Sequence, residues 1–187
     1  TGGETPRRTR AAHPAPGRGR TGRRGAADGS AGILAAPYWA CGVPAGLTYD
    51  AVASDFYGCN PNGTGTKYHV IDPADLVSAC SVPSGWTYDR VSSGLRCQLN
   101  SNGYSYRLRK PADMVYVCML PSGQIYDHVI SSNFYCSDAI TRMFRIRTPV
   151  NGLWACNIPA GWTYDQARTV TSVCAVGISA RQYRLIR

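Results

Sequence analysis

The sequence has very little glutamate and lysine, and it lacks any long apolar run. Glu4 is its only glutamate, and Lys67 and Lys110 are its only lysines. The residues that usually cover solvated helices are therefore nearly missing. Because no run of about 18 apolar residues occurs, we expect no transmembrane helix. The chain starts at Thr1 without a signal peptide, as expected for a processed or truncated product.

The patterns on which enzymes and metal sites are built are also missing. The histidines are His13, His69 and His128, which are scattered, and no CxxC pair occurs, so no zinc site is expected. There is no Gly-x-Ser-x-Gly motif and no phosphate-binding loop, and full pairing of the cysteines would leave no thiol nucleophile. We therefore expect a protein that is not an enzyme and that uses no metal or cofactor.

What the sequence contains instead is a repeat, best seen as Cys80-Ser-Val-Pro-Ser-Gly-Trp-Thr-Tyr-Asp. The other copies start at Cys41, Cys118 and Cys156, so the spacings are 39, 38 and 38 residues. A fixed period of this size is typical of repeat architectures. The predicted divisions are a tail (1–30), an apolar strand or linker (31–40), and repeats 41–79, 80–117, 118–155 and 156–187.

Eight cysteines, two in each repeat, predict a disulfide framework and an oxidising, extracytoplasmic compartment. Chains of about 40 residues rarely hold a sufficient core without such bonds or a neighbour. Pairing within each repeat is favoured, because repeats tend to be self-similar. The favoured bonds are Cys41–Cys59, Cys80–Cys97, Cys118–Cys136 and Cys156–Cys174. A rival pairing joins Cys59 to Cys80, Cys97 to Cys118, Cys136 to Cys156 and Cys41 to Cys174, closing a ring.

Within a repeat, the residues favour strands and turns, and nothing in 41–187 predicts a long amphipathic helix. A short strand carries the first cysteine, Pro-(Ala/Ser)-Gly forms a turn, and a strand with Thr-Tyr-Asp follows. A further strand holds the second cysteine, and a last strand, such as Tyr104 to Arg109, ends before a proline. The sequence thus predicts an all-β fold: a tandem array, open or closed into a ring, of four disulfide-stapled β-repeats.

The first strand is predicted to be offset against the repeat. Tyr38-Trp39-Ala40 precedes Cys41 as Leu153-Trp154-Ala155 precedes Cys156, and the chain ends on a strand at Arg187. We therefore expect 38–40 to belong with the last repeat's pattern. Either it completes that repeat in a closed ring, or it pairs with another subunit from an open array.

The tail is basic and carries no large apolar residue, so we expect residues 1–30 to be disordered. The chain has a net charge of +9, and residues 1–40 hold seven of its arginines. Aromatic residues, which interleave arginines in RNA-binding segments, do not occur in 1–30, so nucleic acid is not an expected partner. A solvated tail or a processing remnant is the favoured interpretation.

Two recurrent features are candidate ligand-binding residues. The Tyr-Asp pair could form one site per repeat, with the aspartate accepting sugar hydroxyls, although a structural Tyr and a turn-capping Asp are favoured. A tryptophan follows the turn glycine in two repeats; because Gln124 and Leu47 replace it elsewhere, the position is expected to be partly exposed and suited to recognition. The candidates are Trp86, Trp162, Tyr49, Asp50, Tyr88, Asp89, Tyr126, Asp127, Tyr164 and Asp165.

The arginines of the last strand form a further outward set. They could line up as a basic stripe for an acidic polysaccharide, a lipid headgroup or nucleic acid. His69 and Ile71 interrupt the stripe in the first repeat, and a solvated face is favoured. The residues are Arg107, Arg109, Arg145, Arg147 and Arg184.

The Cys…Pro-x-Gly-x-x-Tyr…Cys…Tyr-x-(Leu/Ile)-(Arg/Lys) pattern over 38–187 resembles short disulfide repeats of secreted bacterial proteins, which implies no activity.

Two functions fit these features. A secreted, multivalent, lectin-like protein would bind an extracellular glycan or surface polymer, and this function is slightly favoured. Alternatively, copies of the chain form an extracellular filament or coat, in which residues 31–40 add as a strand to a neighbour's sheet edge.

Overall fold

The computed structural model describes residues 36–137 and 141–187, and these residues form strands, turns and bends but no helix. None of them therefore provides a helix that could span a membrane. The all-β prediction is confirmed: four three-stranded antiparallel sheets follow one another along the chain. The tail 1–30, for which disorder is predicted, and residues 31–35 of the apolar segment lie outside the described residues.

The four sheets share one strand order, in which the third strand lies between a short first strand and a second strand. We call the strands of one sheet, with the disulfide between them, a unit. Unit 1 contains β1 (Tyr38–Ala40), β2 (Thr48–Phe56) and β3 (Thr64–Ile71). Unit 2 contains β4 (Ser78–Ala79), β5 (Thr87–Gly94) and β6 (Gly103–Arg109). Unit 3 contains β7 (Tyr116–Val117), β8 (Ile125–Ser131) and β9 (Arg142–Arg147). Unit 4 contains β10 (Trp154–Ala155), β11 (Thr163–Thr171) and β12 (Ser179–Ile186).

Each unit is closed by its own disulfide, so the favoured pairing is confirmed and the rival pairing is wrong. The four bonds span 17 or 18 residues each, and closing a loop of that length stabilises the folded chain by about 3 kcal/mol. Four such bonds indicate an oxidising environment. The bonds are Cys41–Cys59, Cys80–Cys97, Cys118–Cys136 and Cys156–Cys174.

The strand predicted around the second cysteine does not form. Cys59, Cys97, Cys136 and Cys174 all lie in bends or turns that follow the second strand of their unit. Left-handed residues such as Tyr57 (φ 67°), Phe134 (φ 72°) and Ser172 (φ 58°) interrupt the extended backbone just before three of these cysteines. In units 2 to 4, the carbonyl that precedes the second cysteine in this bend accepts a backbone hydrogen bond from the preceding unit.

The Pro-x-Gly turn forms as predicted. The carbonyl of the proline accepts the N–H three residues later at 3.1 or 3.2 Å in each unit. The turn glycines, including Gly85 and Gly161, have φ between 78° and 82°, a conformation that a side chain would strain. This turn reverses the chain between the first cysteine and the second strand.

The predicted offset of the first strand is wrong. β1 pairs with β3 of its own unit, through Tyr38↔Val70, Trp39↔His69 and Ala40↔Tyr68. The corresponding strand of unit 4 is β10, which pairs with β12. Residues 38–40 therefore do not complete the last unit, because a strand separated from its own hairpin by one turn reaches that hairpin over the shortest loop.

Units 3 and 4 also share buried side chains. Ile125 of unit 3 forms a buried cluster with Ala155 and Leu185 of unit 4, and Leu153 and Trp162 pack against it. Consecutive units meet through the second strand of one and the short first strand of the next. Each unit is therefore stabilised both by its disulfide and by its neighbours.

Candidate functional site

Each Tyr-Asp pair lies at a β-bulge of the second strand. The register against the third strand shifts between Tyr49 and Ala51, and it shifts at the equivalent place in the other three units. The extra residue is the aspartate in every unit, and a bulge of this kind bends the strand and redirects the neighbouring side chains. The recurrent motif thus marks a backbone irregularity that the fold repeats.

The bulge aspartates bind basic side chains of the third strand. Arg107 donates to both carboxylate oxygens of Asp89, at 2.6 and 2.9 Å. Arg145 does the same to Asp127, at 2.7 and 3.0 Å. In the end units, Asp165 pairs with Arg184 and Asp50 with the ring of His69. Because arginine, or the His69 ring in unit 1, already contacts them, these oxygens are poorly placed to accept the hydroxyls of a sugar.

All five arginines of the predicted basic stripe are ion-paired. Arg109 and Arg147 contact Asp75 and Asp113, both at 3.1 Å, in addition to the bulge aspartates. The local charge of the stripe is therefore largely cancelled. The Arg184 guanidinium lowers the pKa of Asp165, and the amide of Thr148, helped by Arg147, lowers the pKa of Asp113. The pairs are Arg107–Asp89, Arg109–Asp75, Arg145–Asp127, Arg147–Asp113 and Arg184–Asp165.

The bulge tyrosines pack against an aromatic residue of the third strand. Their ring centroids lie 5.0 or 5.1 Å from those of their partners, mostly in edge-on orientations. Burial raises the pKa of Tyr49, Tyr88 and Tyr126. The pairs are Tyr49–Tyr68, Tyr88–Tyr106, Tyr126–Phe144 and Tyr164–Tyr183.

Trp86 and Trp162 are half-buried. Trp162 packs against the cluster formed by Ile125 and Leu185, and the guanidinium of Arg187 lies 5.9 Å from its ring centroid. Part of the indole surface that a sugar would need is thus taken by the protein itself.

The backbone at the bulge holds the following unit. We call the outer edge of the second strand, which faces away from the third strand, the trailing edge of a unit. The bulge tyrosine offers its carbonyl there, and the N–H of the next unit's first cysteine donates to it. The distances are 2.6 Å for Cys80 to Tyr49, 2.7 Å for Cys118 to Tyr88 and 2.8 Å for Cys156 to Tyr126.

A second backbone bond completes each contact. Three residues after the bulge tyrosine, a valine N–H donates to the carbonyl that precedes the next unit's second cysteine. The distances are 2.9 Å for Val52 to Arg96, 2.7 Å for Val91 to Tyr135 and 2.8 Å for Val129 to Val173. We call the disulfide and these two flanking backbone groups the cystine face of a unit, and its contact with a trailing edge a joint.

Side chains add to each joint. Thr48 donates its hydroxyl to the carbonyl of Ser81 at 2.8 Å, and Thr87 donates to that of Met119 at 2.5 Å. The acceptors Ser81 and Met119 each directly follow the first cysteine of their unit. In the third joint, Asn157 replaces this contact by accepting from the N–H of Tyr126 and donating to the carbonyl of Gln124, both at 3.1 Å.

The trailing edge of unit 4 has no such cover within the described residues. Eight of the nine residues of β11 are exposed, whereas β2, β5 and β8 are largely buried or half-buried. Thr163 is exposed, although the equivalent Thr48, Thr87 and Ile125 are fully buried. At the other end of the array, Cys41 is exposed on a cystine face that touches no preceding unit among the described residues.

No protein-family model, curated protein or solved structure matches this chain. A proposal about its function therefore has to be based on the geometry of the chain itself. Two sites stand out in that geometry: the bare ends of the array, and the hairpin ends of units 1 and 3.

The hairpin ends carry exposed aromatic residues that the sequence patterns did not single out. Phe56 and Tyr57 of unit 1 are 73% and 71% exposed, and Phe134 and Tyr135 of unit 3 are 62% and 46% exposed. Tyr57 and Phe134 also have a left-handed backbone, which is costly for a bulky side chain. The signal available in the sequence is an aromatic pair shortly before the second cysteine, which units 2 and 4 lack.

Proposed function

We propose that this chain is a secreted, non-enzymatic structural subunit, and that copies of it associate end to end in an extracellular assembly. The exposed trailing edge of β11 carries this proposal. An exposed strand edge with unpaired backbone groups favours association with a further polypeptide. In units 1 to 3, the same edge is covered by the next unit.

The four disulfides support an extracellular setting, because such bonds persist in oxidising compartments. They also support a structural role. A subunit that works outside the cell gains resistance to unfolding from covalent bonds that close every unit. Repetition of one joint along the chain supports the same role, since a surface that fits its neighbour three times is suited to fit it again.

Strand addition by residues 31–40 is not the route that the structure favours. Residues 38–40 are β1, and they are already paired with β3 of the same chain. To add to a neighbour's edge, this strand would first have to leave its own sheet, which would break those ladder bonds.

Sedimentation velocity over a concentration series, run beside negative-stain microscopy, tests the proposal. We expect the weight-average sedimentation coefficient to rise with concentration and elongated or ring-shaped particles to appear. A protein that stays monomeric up to about 1 mM, where even a contact worth only about 4 kcal/mol would be half-populated, would contradict it.

The exposed aromatic residues of the hairpin ends favour a second candidate, the multivalent binding of a glycan or surface polymer. Aromatic rings on a surface are typical of recognition sites. Presenting them on more than one unit of one chain would allow weak sites to act together. In this proposal Tyr57 and Phe134 are central, and Trp86 and Trp162 contribute only their exposed parts.

A glycan array probed with the wild type and with a Tyr57→Gly, Phe134→Gly double variant tests this candidate. We expect binding by the wild type and its loss in the variant, with Trp86→Ala giving a smaller loss. Absence of binding by the wild type, or equal binding by the double variant, would rule the candidate out.

A further inference from the structure

The two bare ends of the array carry complementary halves of the same joint. On β11, the unused groups are the carbonyl of Tyr164, the N–H of Ala167 and the hydroxyl of Thr163. They stand where Tyr49, Val52 and Thr48 stand in unit 1, and no inter-unit bond to them occurs within the described residues.

The matching half lies on unit 1. There the N–H of Cys41, the carbonyl of Gly58 and the carbonyl of Gly42 occupy the places of Cys80, Arg96 and Ser81 in unit 2. Each donor on one end therefore has an acceptor on the other, and the three pairs repeat the pattern of the first two internal joints. The disulfide Cys41–Cys59 fixes the spacing of the backbone groups, as it does in the other units.

We infer that the trailing edge of β11 is covered by the Cys41–Cys59 face of a second copy, joined head to tail. This inference rests on the proposed function and specifies its contact. Three hydrogen bonds would define it: Cys41 N–H to Tyr164 carbonyl, Ala167 N–H to Gly58 carbonyl, and Thr163 hydroxyl to Gly42 carbonyl. The contact continues the register of the three internal joints across the boundary between two chains.

The two halves come from different surfaces of the chain, so the contact is heterologous. Each added copy presents a fresh trailing edge, and such a contact produces a filament unless the rotation per copy closes a ring. Unit 4 of one copy would then be related to unit 1 of the next by the same rotation and translation that relate consecutive units within one chain. The assembly would then have a period of one unit rather than one chain.

Thr163→Lys tests the trailing half of the joint. Thr163 is exposed in the single chain, while its three internal counterparts are fully buried. A lysine should therefore be harmless to folding but should place an unpaired ammonium inside the contact. We expect the association constant to fall by at least tenfold, equivalent to about 1.4 kcal/mol. Thr169→Lys is the matched control: it is exposed on the same strand, and its counterparts Ser54, Ser93 and Ser131 make no inter-unit backbone bond.

Gly42→Asn tests the other half by strengthening it. A Cβ on Gly42 meets no heavy atom within 4 Å, so the folded chain tolerates the change. The new side chain would copy Asn157, whose amide bonds to both sides of residue Ile125 in the third internal joint. We expect association several-fold tighter than that of the wild type. In the Gly42→Asn, Thr163→Lys double variant we expect this gain to be lost.

Sedimentation velocity of these variants, with thermal melts as a folding control, separates the possible outcomes. A weakened Thr163→Lys, a strengthened Gly42→Asn and an unchanged Thr169→Lys support the joint. Assembly of the wild type that neither Thr163→Lys nor Gly42→Asn alters would overturn the joint while leaving the proposed function in place. A wild type and a Gly42→Asn variant that both stay monomeric up to about 1 mM would overturn both.

Discussion

At the residue scale, two aromatic side chains stand where the backbone conformation favours glycine. Tyr57 and Phe134 adopt left-handed backbone conformations at exposed hairpin ends, where glycine would be less strained. Strain of this kind is a reason to look for a function of the side chain. The sequence does not predict it, because an aromatic residue before a cysteine fits an ordinary strand equally well.

Tyr57→Gly should therefore not destabilise the protein. Relief of the left-handed strain offsets the greater freedom of glycine in the unfolded chain, so we expect the free energy of unfolding to be unchanged or to rise by up to about 1 kcal/mol. Phe56→Gly, at the neighbouring exposed position without a left-handed backbone, should lower it by about 0.5–1 kcal/mol. Denaturant unfolding of both variants measures the difference. A loss above about 1 kcal/mol in Tyr57→Gly would mean that its ring stabilises the fold.

The sequence patterns predict which residues recur in each repeat, but they do not predict which side chains these residues contact. They identify each Tyr-Asp pair as recurrent, and the structural role favoured for the tyrosine agrees with the ring contacts. The turn-capping role favoured for the aspartate is wrong, because Asp89 and Asp127 lie at strand bulges and bind arginine side chains. The patterns did not reveal that arginines of the third strand are the partners, because the pairing depends on a bulge that shifts the register by one residue.

At the scale of strands, the bulge links three tasks. At the bulge, the tyrosine carbonyl faces the next unit and the aspartate binds a side chain of the third strand. The tyrosine ring packs against an aromatic residue of that strand. Turn and strand positions followed from Pro-x-Gly and from alternating side chains. The place of the second cysteine did not, because side-chain alternation does not reveal the backbone bends in which all four second cysteines lie.

Asp127→Asn and Asp165→Asn compare the same bulge pair in a covered and an uncovered unit. Asp127 is only 6% exposed and binds both Arg145 and Arg147. Without its charge, these two half-buried guanidinium groups lose a carboxylate partner. We expect a loss on the order of 3 kcal/mol in the free energy of unfolding. Asp165 and Arg184 are solvated, and we expect a clearly smaller loss. Guanidinium unfolding compares them, and equal losses would mean that burial does not strengthen the Asp127 ion pairs.

At the scale of the whole molecule, the period and the cysteine register were enough to predict four stapled β-repeats in tandem. They were not enough to place the first strand, because β1 precedes its cysteine as β10 does, and sequence likeness alone allows either hairpin as partner. The joints are equally hidden from the sequence: their bonds are mostly between backbone groups, which carry no residue signature. The distinction between covered and bare edges appears only when the units are assembled.

The central claim is that, among the described residues, the trailing edges of units 1 to 3 are covered by the next cystine face and that of unit 4 is bare. Residue-resolved amide hydrogen exchange tests this claim most directly. The measurement compares the equivalent amides of Val52, Val91, Val129 and Ala167 in the monomeric Thr163→Lys variant and in assembled wild type. We expect slow exchange at the three valines in both samples. Ala167 should exchange rapidly in the monomer and become protected on assembly. Protection of Ala167 equal to that of Val129 in the monomer, or exchange at Val91 and Val129 as fast as at Ala167, would contradict the account.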